Sequence, residues 1–163
     1  MWINSWLTSA KAERLQRAGA GTLRHIGEML LSDQRDRARP QYLLTAADAV
    51  LLLGDALGRA EREYLHIAHL GPDGRLIAIT QHSGVHDAVS LAPSTIARDA
   101  LLRRSSRLLV AHNHPSGDAT PSMADRFTTR RLAELLRMLD IELVDHLIFA
   151  GREVTSFRQS GLI

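Results

Sequence analysis

Apolar residues recur along this chain at two spacings, and the places where one gives way to the other mark the elements. Over residues 9–32, Leu15, Leu23, Ile26, Leu30 and Leu31 fall at roughly helical intervals. That spacing predicts a helix interrupted near Gly19 and Gly21. The charged stretch SDQRDRARPQ, residues 32–41, carries Pro40 and reads as a linker. Thr45 and Asp48 form a T-x-x-D box, and AADAVLLLGDALGR continues as a helix to about Arg59. The period then changes. YLHIAHL and RLIAITQH flank GPDG, which predicts a β-hairpin. Residues 93–104 open with Pro and Ser and read as a helix. RLLVAHN, 107–113, suits a short buried strand. Residues 122–138 follow as a helix with Phe127, Leu132, Leu135 and Leu136 as its apolar stripe, and IELVDHLIFAG, 141–151, as a further buried strand. Strands alternating with helices predict an α/β (α+β) fold, a mixed β-sheet flanked by helices, over 43–163. Residues 1–42 form a separate helical N-terminal segment and linker in this reading.

Composition narrows the chemistry. A chain of 163 residues, 45% hydrophobic and 23% charged, can bury a real core. No apolar run approaches the roughly 18–20 residues needed to cross a bilayer. The N-terminus lacks a basic region followed by an apolar one, so the expected setting is cytoplasmic, without a signal peptide or membrane span. Cysteine is absent, which leaves His, Asp and Glu as the ligands for any metal. Lys11 is the only lysine; the other basic residues are arginine, and the formal charge is only +2. Two readings of Arg103, Arg104, Arg107, Arg126, Arg130 and Arg131 stand: a phosphate-binding face, or solvated helix faces.

His112 and His114 lie two apart at the end of a strand, where i and i+2 project to one face and both imidazoles can converge. Asp125 follows 11 residues after His114, in the first turn of the next helix. Two imidazoles and one carboxylate hold a tetrahedral zinc with one position open to water, the catalytic arrangement rather than the closed structural one. Each part also has a plainer reading. An H-x-H pair can be merely hydrogen-bonded or exposed, and Ser122 with Asp125 forms S-x-x-D, a helix N-cap that needs no metal. The contiguous His-Asn-His is a decoy for the HNH nucleases, whose signature is dispersed. Asp145 and His146 sit mid-strand among apolar neighbours and must be paired. They either orient a ligand imidazole or satisfy each other in the core. His66, His69, His82 and His86 read as strand and loop surface residues away from any metal.

The order Glu63, His112, His114, seven residues, Ser122, two residues, Asp125 resembles the JAMM signature of the JAB/MPN metalloproteases. AHNHPSGDATPSMAD, the preceding EREYLHIAHLGPDGRLI, and the downstream LDIELVDHLIFAG with TSFRQSGLI are similar to the RadC-like branch, from about residue 43 to the end. The resemblance implies an MPN/JAB (cytidine-deaminase-like) fold and one Zn2+ held by His112, His114 and Asp125. It also implies Glu63 as general base and Ser122 as oxyanion donor; Glu61, two residues upstream, competes with Glu63 for the first role. Asn113 stands where deubiquitinase-type members carry Ser or Thr, as is usual in the RadC-like branch. Such proteins commonly carry a longer helical region ahead of this domain, so the resemblance implies a truncated N-terminus. The implied function is a zinc metallopeptidase or isopeptidase with a peptide or isopeptide substrate. The alternative is a DNA-repair-associated, nucleic-acid-binding accessory protein whose metal site is structural or vestigial.

Overall fold

The hairpin around GPDG seeds a five-stranded sheet. The computed structural model describes residues 41–43, 45–83 and 92–163; the helix expected over 9–32, nearly all of the 32–41 linker, and His86 lie outside them. β1 (Tyr64–Leu70) and β2 (Leu76–Ser83) pair antiparallel across that turn. Gly74 supplies the positive φ of 83°, and its N–H bonds Gly71 O at 3.1 Å. β3 (Arg107–Asn113) pairs antiparallel with β1, and β4 (Glu142–Ala150) lies parallel to β3. β5 (Glu153–Ser156) closes the order β2-β1-β3-β4-β5. The helices are α1 (Ala46–Gly58), α2 (Pro93–Leu102) and α3 (Met123–Met138).

Each helix starts where its sequence chemistry places it. Thr45 and Asp48 form a reciprocal capping box on α1, Pro93 opens α2, and Ser122 and Asp125 cap α3 as Thr45 and Asp48 cap α1. The sheet is covered on both faces. On one, Leu65, Ile67, Leu108, Val110 and Leu143 pack against Ile96 and Ala100 of α2 and Leu132 and Leu136 of α3. On the other, Ala68, Leu70, Leu109, Ala111, Leu147 and Phe149 pack against Ala49, Leu53 and Leu57 of α1. That two-sided burial explains the nearly unbroken apolar runs of β1, β3 and β4. β2, at the edge, alternates instead. No helix among the described residues is long and apolar enough to cross a membrane.

Several expectations change. The apolar stripe of α3 does not include Phe127, which is 63% exposed with the Arg131 guanidinium 5.7 Å from its ring centroid. The buried face is Asp125, Thr129, Leu132 and Leu136, one face at helical spacing with two polar members. β5, only four residues long, carries no pattern that its sequence could show. β4 is also irregular: Leu108 pairs with Leu143 but Leu109 with Asp145, so Val144 is an extra residue in the strand. The carbonyls of Leu143 and Val144 accept from the Arg158 guanidinium in place of a neighbouring strand.

His66 and His69 are buried, contrary to their reading as surface residues. His69 lies between Ser105 Oγ at 3.0 Å, Thr80 Oγ1 at 3.2 Å and Asp99 at 3.3 Å, which ties α2 to the hairpin. His82 is partly exposed. Burial pushes both His66 and His69 below the usual histidine value, with Asp99 opposing it at His69. His146 is pushed down to about 3, first by burial and then by neighbouring His112.

Two outcomes follow for stability. Leu136→Ala should cost about 2–5 kcal/mol through lost burial and a cavity, whereas Phe127→Ala should change stability by less than about 0.5 kcal/mol; urea unfolding compares them directly. Native His66, His69 and His146 resist protonation where their unfolded counterparts gain protons below about pH 6.5. Stability should therefore fall as pH drops from there toward the His146 value of about 3. The urea midpoint of chelator-treated protein, followed from about pH 7.5 to 5, should decline; a constant midpoint would contradict the buried neutral assignment.

Candidate metal centre

Near the end of β3, His112 lies on the α2/α3 face, in line with Leu108 and Val110, and His114 follows where the chain leaves the sheet. His114 N–H still bonds Phe149 O at 2.8 Å, which holds the first residue beyond the strand against β4. The N-terminal turn of α3 brings Asp125 to the same place. His112 Nε2 lies 2.9 Å from His114 Nε2 and 3.3 Å from Asp125 Oδ1, and His114 Nε2 lies 3.5 Å from Asp125 Oδ2. Glu63 completes the group from the start of β1. Leu65 pairs with His112, so two residues further along this antiparallel pair Glu63 comes level with His114. Ligand-capable atoms of Glu63, His112 and His114 lie within 4.8 Å of one another. Glu61 is exposed and outside that group.

The hydrogen-bond inventory fixes which nitrogens carry protons. Thr129 Oγ1 donates its single hydrogen to Asp125 O at 2.6 Å, so toward His146 Nδ1, also 2.6 Å away, it can only accept. His146 therefore carries its proton on Nδ1. Burial keeps the ring neutral, leaving Nε2 as an acceptor 2.8 Å from His112 Nδ1. His112 must then donate from Nδ1, and a neutral ring presents Nε2 as a bare lone pair. His114 reaches the same state by a separate route: its Nδ1 donates to Asp118 O at 2.7 Å. Two unprotonated nitrogens thus face each other.

Asp125 adds a third acceptor. Its Oδ2 accepts from Ser122 N at 2.8 Å and Ser122 Oγ at 2.6 Å, whereas buried Oδ1 has no hydrogen-bond partner among the described residues. The 3.3 Å approach of His112 Nε2 to Oδ1 is an ion-pair distance without hydrogen-bond geometry. Burial alone would raise the Asp125 carboxyl, but the Ser122 N–H and hydroxyl donate to it and help hold the group well below the usual carboxylate range. Three acceptors meeting with no hydrogen among them suit a cation. A tetrahedral ion with bonds of roughly 2.0–2.1 Å separates its ligand atoms by roughly 3.3 Å, close to the 2.9 Å and 3.3 Å from His112 Nε2 to His114 Nε2 and Asp125 Oδ1. The N2O donor set fits the group that the sequence implies.

The remaining site residues divide by what they touch. Ser122 caps α3 and bonds the Asp125 carboxylate, the contacts that the N-cap reading of its S-x-x-D motif expects. His146 meets the His112 imidazole; Asp145 does not. The Asp145 carboxylate accepts from His146 N at 2.7 Å, Arg158 N at 3.0 Å and Ser156 Oγ, which anchors the irregular part of β4. Sequence reasoning missed Thr129, although its place four residues after Asp125 puts both on one helix face. Of the arginines considered for a phosphate face, Arg103 pairs with Asp99 and Arg107 with Glu142, while Arg126 donates to Pro121 O.

Comparison with known proteins shows the family. A family model described as RadC-like JAB domain matches residues 43–162. YeeS of Escherichia coli strain K12 is 32% identical over 158 residues, covering 96% of this chain and all of that protein. A UPF0758 protein of Vibrio atlanticus is 36% identical over 155 residues, and there the match spans 66% of the relative's length. YfjY of Escherichia coli strain K12 is 39% identical over 104 residues, 63% of this chain and 65% of that protein. With its mixed sheet, the convergent His112, His114 and Asp125, and a family match over residues 43–162, the chain belongs to the RadC-like JAB domain family.

Proposed function

We propose that this chain is a zinc-dependent hydrolase of peptide or isopeptide bonds. The observation that carries the reading is the convergence of His112 Nε2, His114 Nε2 and Asp125 Oδ1, that oxygen being buried with no hydrogen-bond partner among the described residues. His112, His114 and Asp125 would hold the ion, and nitrogen with carboxylate oxygen is a donor set that zinc accepts. When bound, the ion supplies Lewis acidity, enough to bring the pKa of water to about 7.

The rest falls to the protein's own side chains. Glu63 is half-buried and adjoins both histidines, so its carboxylate is placed to take a proton from attacking water and return it to the departing amine. Ser122 sits at the rim with its hydroxyl hydrogen given to Asp125 Oδ2. To stabilise an oxyanion it must turn away from Asp125, whose Oδ2 keeps the Ser122 N–H as donor meanwhile. His146 and Thr129 fix the tautomer of His112, and Asp118 O fixes that of His114.

Purified protein should carry about one zinc per chain by metal analysis, and His114→Ala should lose it; full occupancy in that variant would refute the ligand assignment. Glu63→Gln should retain zinc and abolish cleavage, read by mass spectrometry on a panel of peptide- and isopeptide-linked substrates. Thr129→Val keeps the shape but removes the acceptor for His146 Nδ1–H. It should weaken zinc binding about 10–100-fold in competition with a chromophoric chelator, and unchanged affinity would dissociate Thr129 from the site.

A further inference from the structure

Alternation along β3 sends His112 to the α2/α3 face and Asn113 to the opposite one, with Leu109 and Ala111. Asn113 is 2% exposed, yet among the described residues its amide bonds only backbone groups. Its Oδ1 accepts from Tyr64 N–H at 2.8 Å, and its Nδ2 donates to Arg62 O at 2.9 Å and Ala60 O at 3.2 Å. Only this orientation of the amide matches donors to acceptors. Arg62 O and Tyr64 N belong to the peptide groups on either side of Glu63.

We infer that Asn113 is the positioning residue for Glu63, tying the turn that carries this carboxylate to the strand that carries the two histidines. The turn needs such a tie. Between α1 and β1 the backbone leaves regular secondary structure over residues 59–63, and Glu63 is its last residue. Holding both flanking peptide groups fixes the direction in which the Glu63 side chain departs. The register is set as well, because Asn113 stands between His112 and His114 in sequence. Any shift of β3 moves ligands and clamp together, so the distance from Glu63 to the histidines is preserved. No near neighbour of asparagine reproduces these contacts. Aspartate would oppose two carbonyls with a carboxylate, serine is too short to span three partners, and leucine satisfies none.

The inference rests on the reading of Glu63 as the proton carrier beside a metal, and cobalt(II) substitution tests the two separately. Visible absorption of bound cobalt reports the groups around its open position. Wild-type protein should take up one cobalt per chain, by analogy with zinc, and Glu63→Gln should shift its band. Asn113→Asp and Asn113→Ala should keep full cobalt occupancy and shift the band toward that of Glu63→Gln. Added to Glu63→Gln, either should shift it no further. Exchange of the Tyr64 amide hydrogen in Asn113→Ala should be about tenfold faster, as expected for the loss of one buried hydrogen bond.

Other results overturn the inference. If Glu63→Gln shifts the band and the Asn113 variants do not, Asn113 does not act through Glu63, and the hydrolase reading survives. The same follows if the two effects add, or if the Asn113 variants lose the metal, which would assign Asn113 to the histidines instead. If wild-type protein takes up no cobalt, or Glu63→Gln leaves the band unmoved, the hydrolase reading fails and the inference with it. Should Asn113→Ala not fold, Asn113→Ser serves in its place; failure of the Asp, Ala and Ser variants alike would make Asn113 an element of the fold and overturn its role at Glu63.

Discussion

Three lone pairs face one another where β3 ends, and the burial of His112 and Asp125 keeps water from relieving them. Such an arrangement is electrostatically costly in isolation. A core needing only satisfied polar groups would turn at least one hydrogen inward. Here every hydrogen that could point in is directed elsewhere: that of His112 to His146, that of His114 to Asp118 O, that of Ser122 to Asp125 Oδ2. The cost is offset once a cation enters, and the surrounding bonds make sense as the means of keeping the three acceptors bare.

Those bonds depend in turn on the irregularity in β4. Because Val144 is an extra residue, His146 comes opposite Val110, on the same face as His112, and reaches it diagonally. Without the bulge, every residue beyond Val144 would change face. Asp145 holds the bulge through Ser156 and the backbone of Arg158, while the Arg158 guanidinium caps the two carbonyls that the bulge exposes. A carboxylate that never touches the ligands thus determines whether the tautomer-fixing histidine faces them.

Periodicity and caps made most of the scaffold legible. The T-x-x-D and S-x-x-D boxes begin α1 and α3, Pro93 begins α2, and GPDG turns the hairpin. His112, His114, Asp125 and Glu63 were legible because strand alternation and motif spacing both speak of residues near one another along the chain or matched as a set. What failed were contacts made across the sheet. His66 and His69 looked like surface residues because a histidine within an apolar strand carries no mark of the hydroxyls that will meet it. Phe127 looked buried because helical spacing alone does not say which side faces the sheet, and the polar pair Asp125 and Thr129 occupies the inner side instead. The clamp of Asn113 on the Glu63 turn joins residues about 50 positions apart, consistent with the separations of 49 to 53 among its three bonds. No local pattern encodes such a contact.

Asp125 shows how one side chain serves the helix and the site together. A capping box needs one carboxylate oxygen, and Oδ2 supplies it to the N–H and hydroxyl of Ser122. The other oxygen is left free by that same geometry and points toward the imidazoles. The start of α3 places partial positive charge beside the carboxylate, which favours its ionised form alongside the Ser122 donors. With Asp125 ionised and both Nε2 atoms bare, a cation can enter without displacing a proton from any of the three ligands. Glu63 stands apart from that arrangement, beside both histidines, half-buried and outside the capping network.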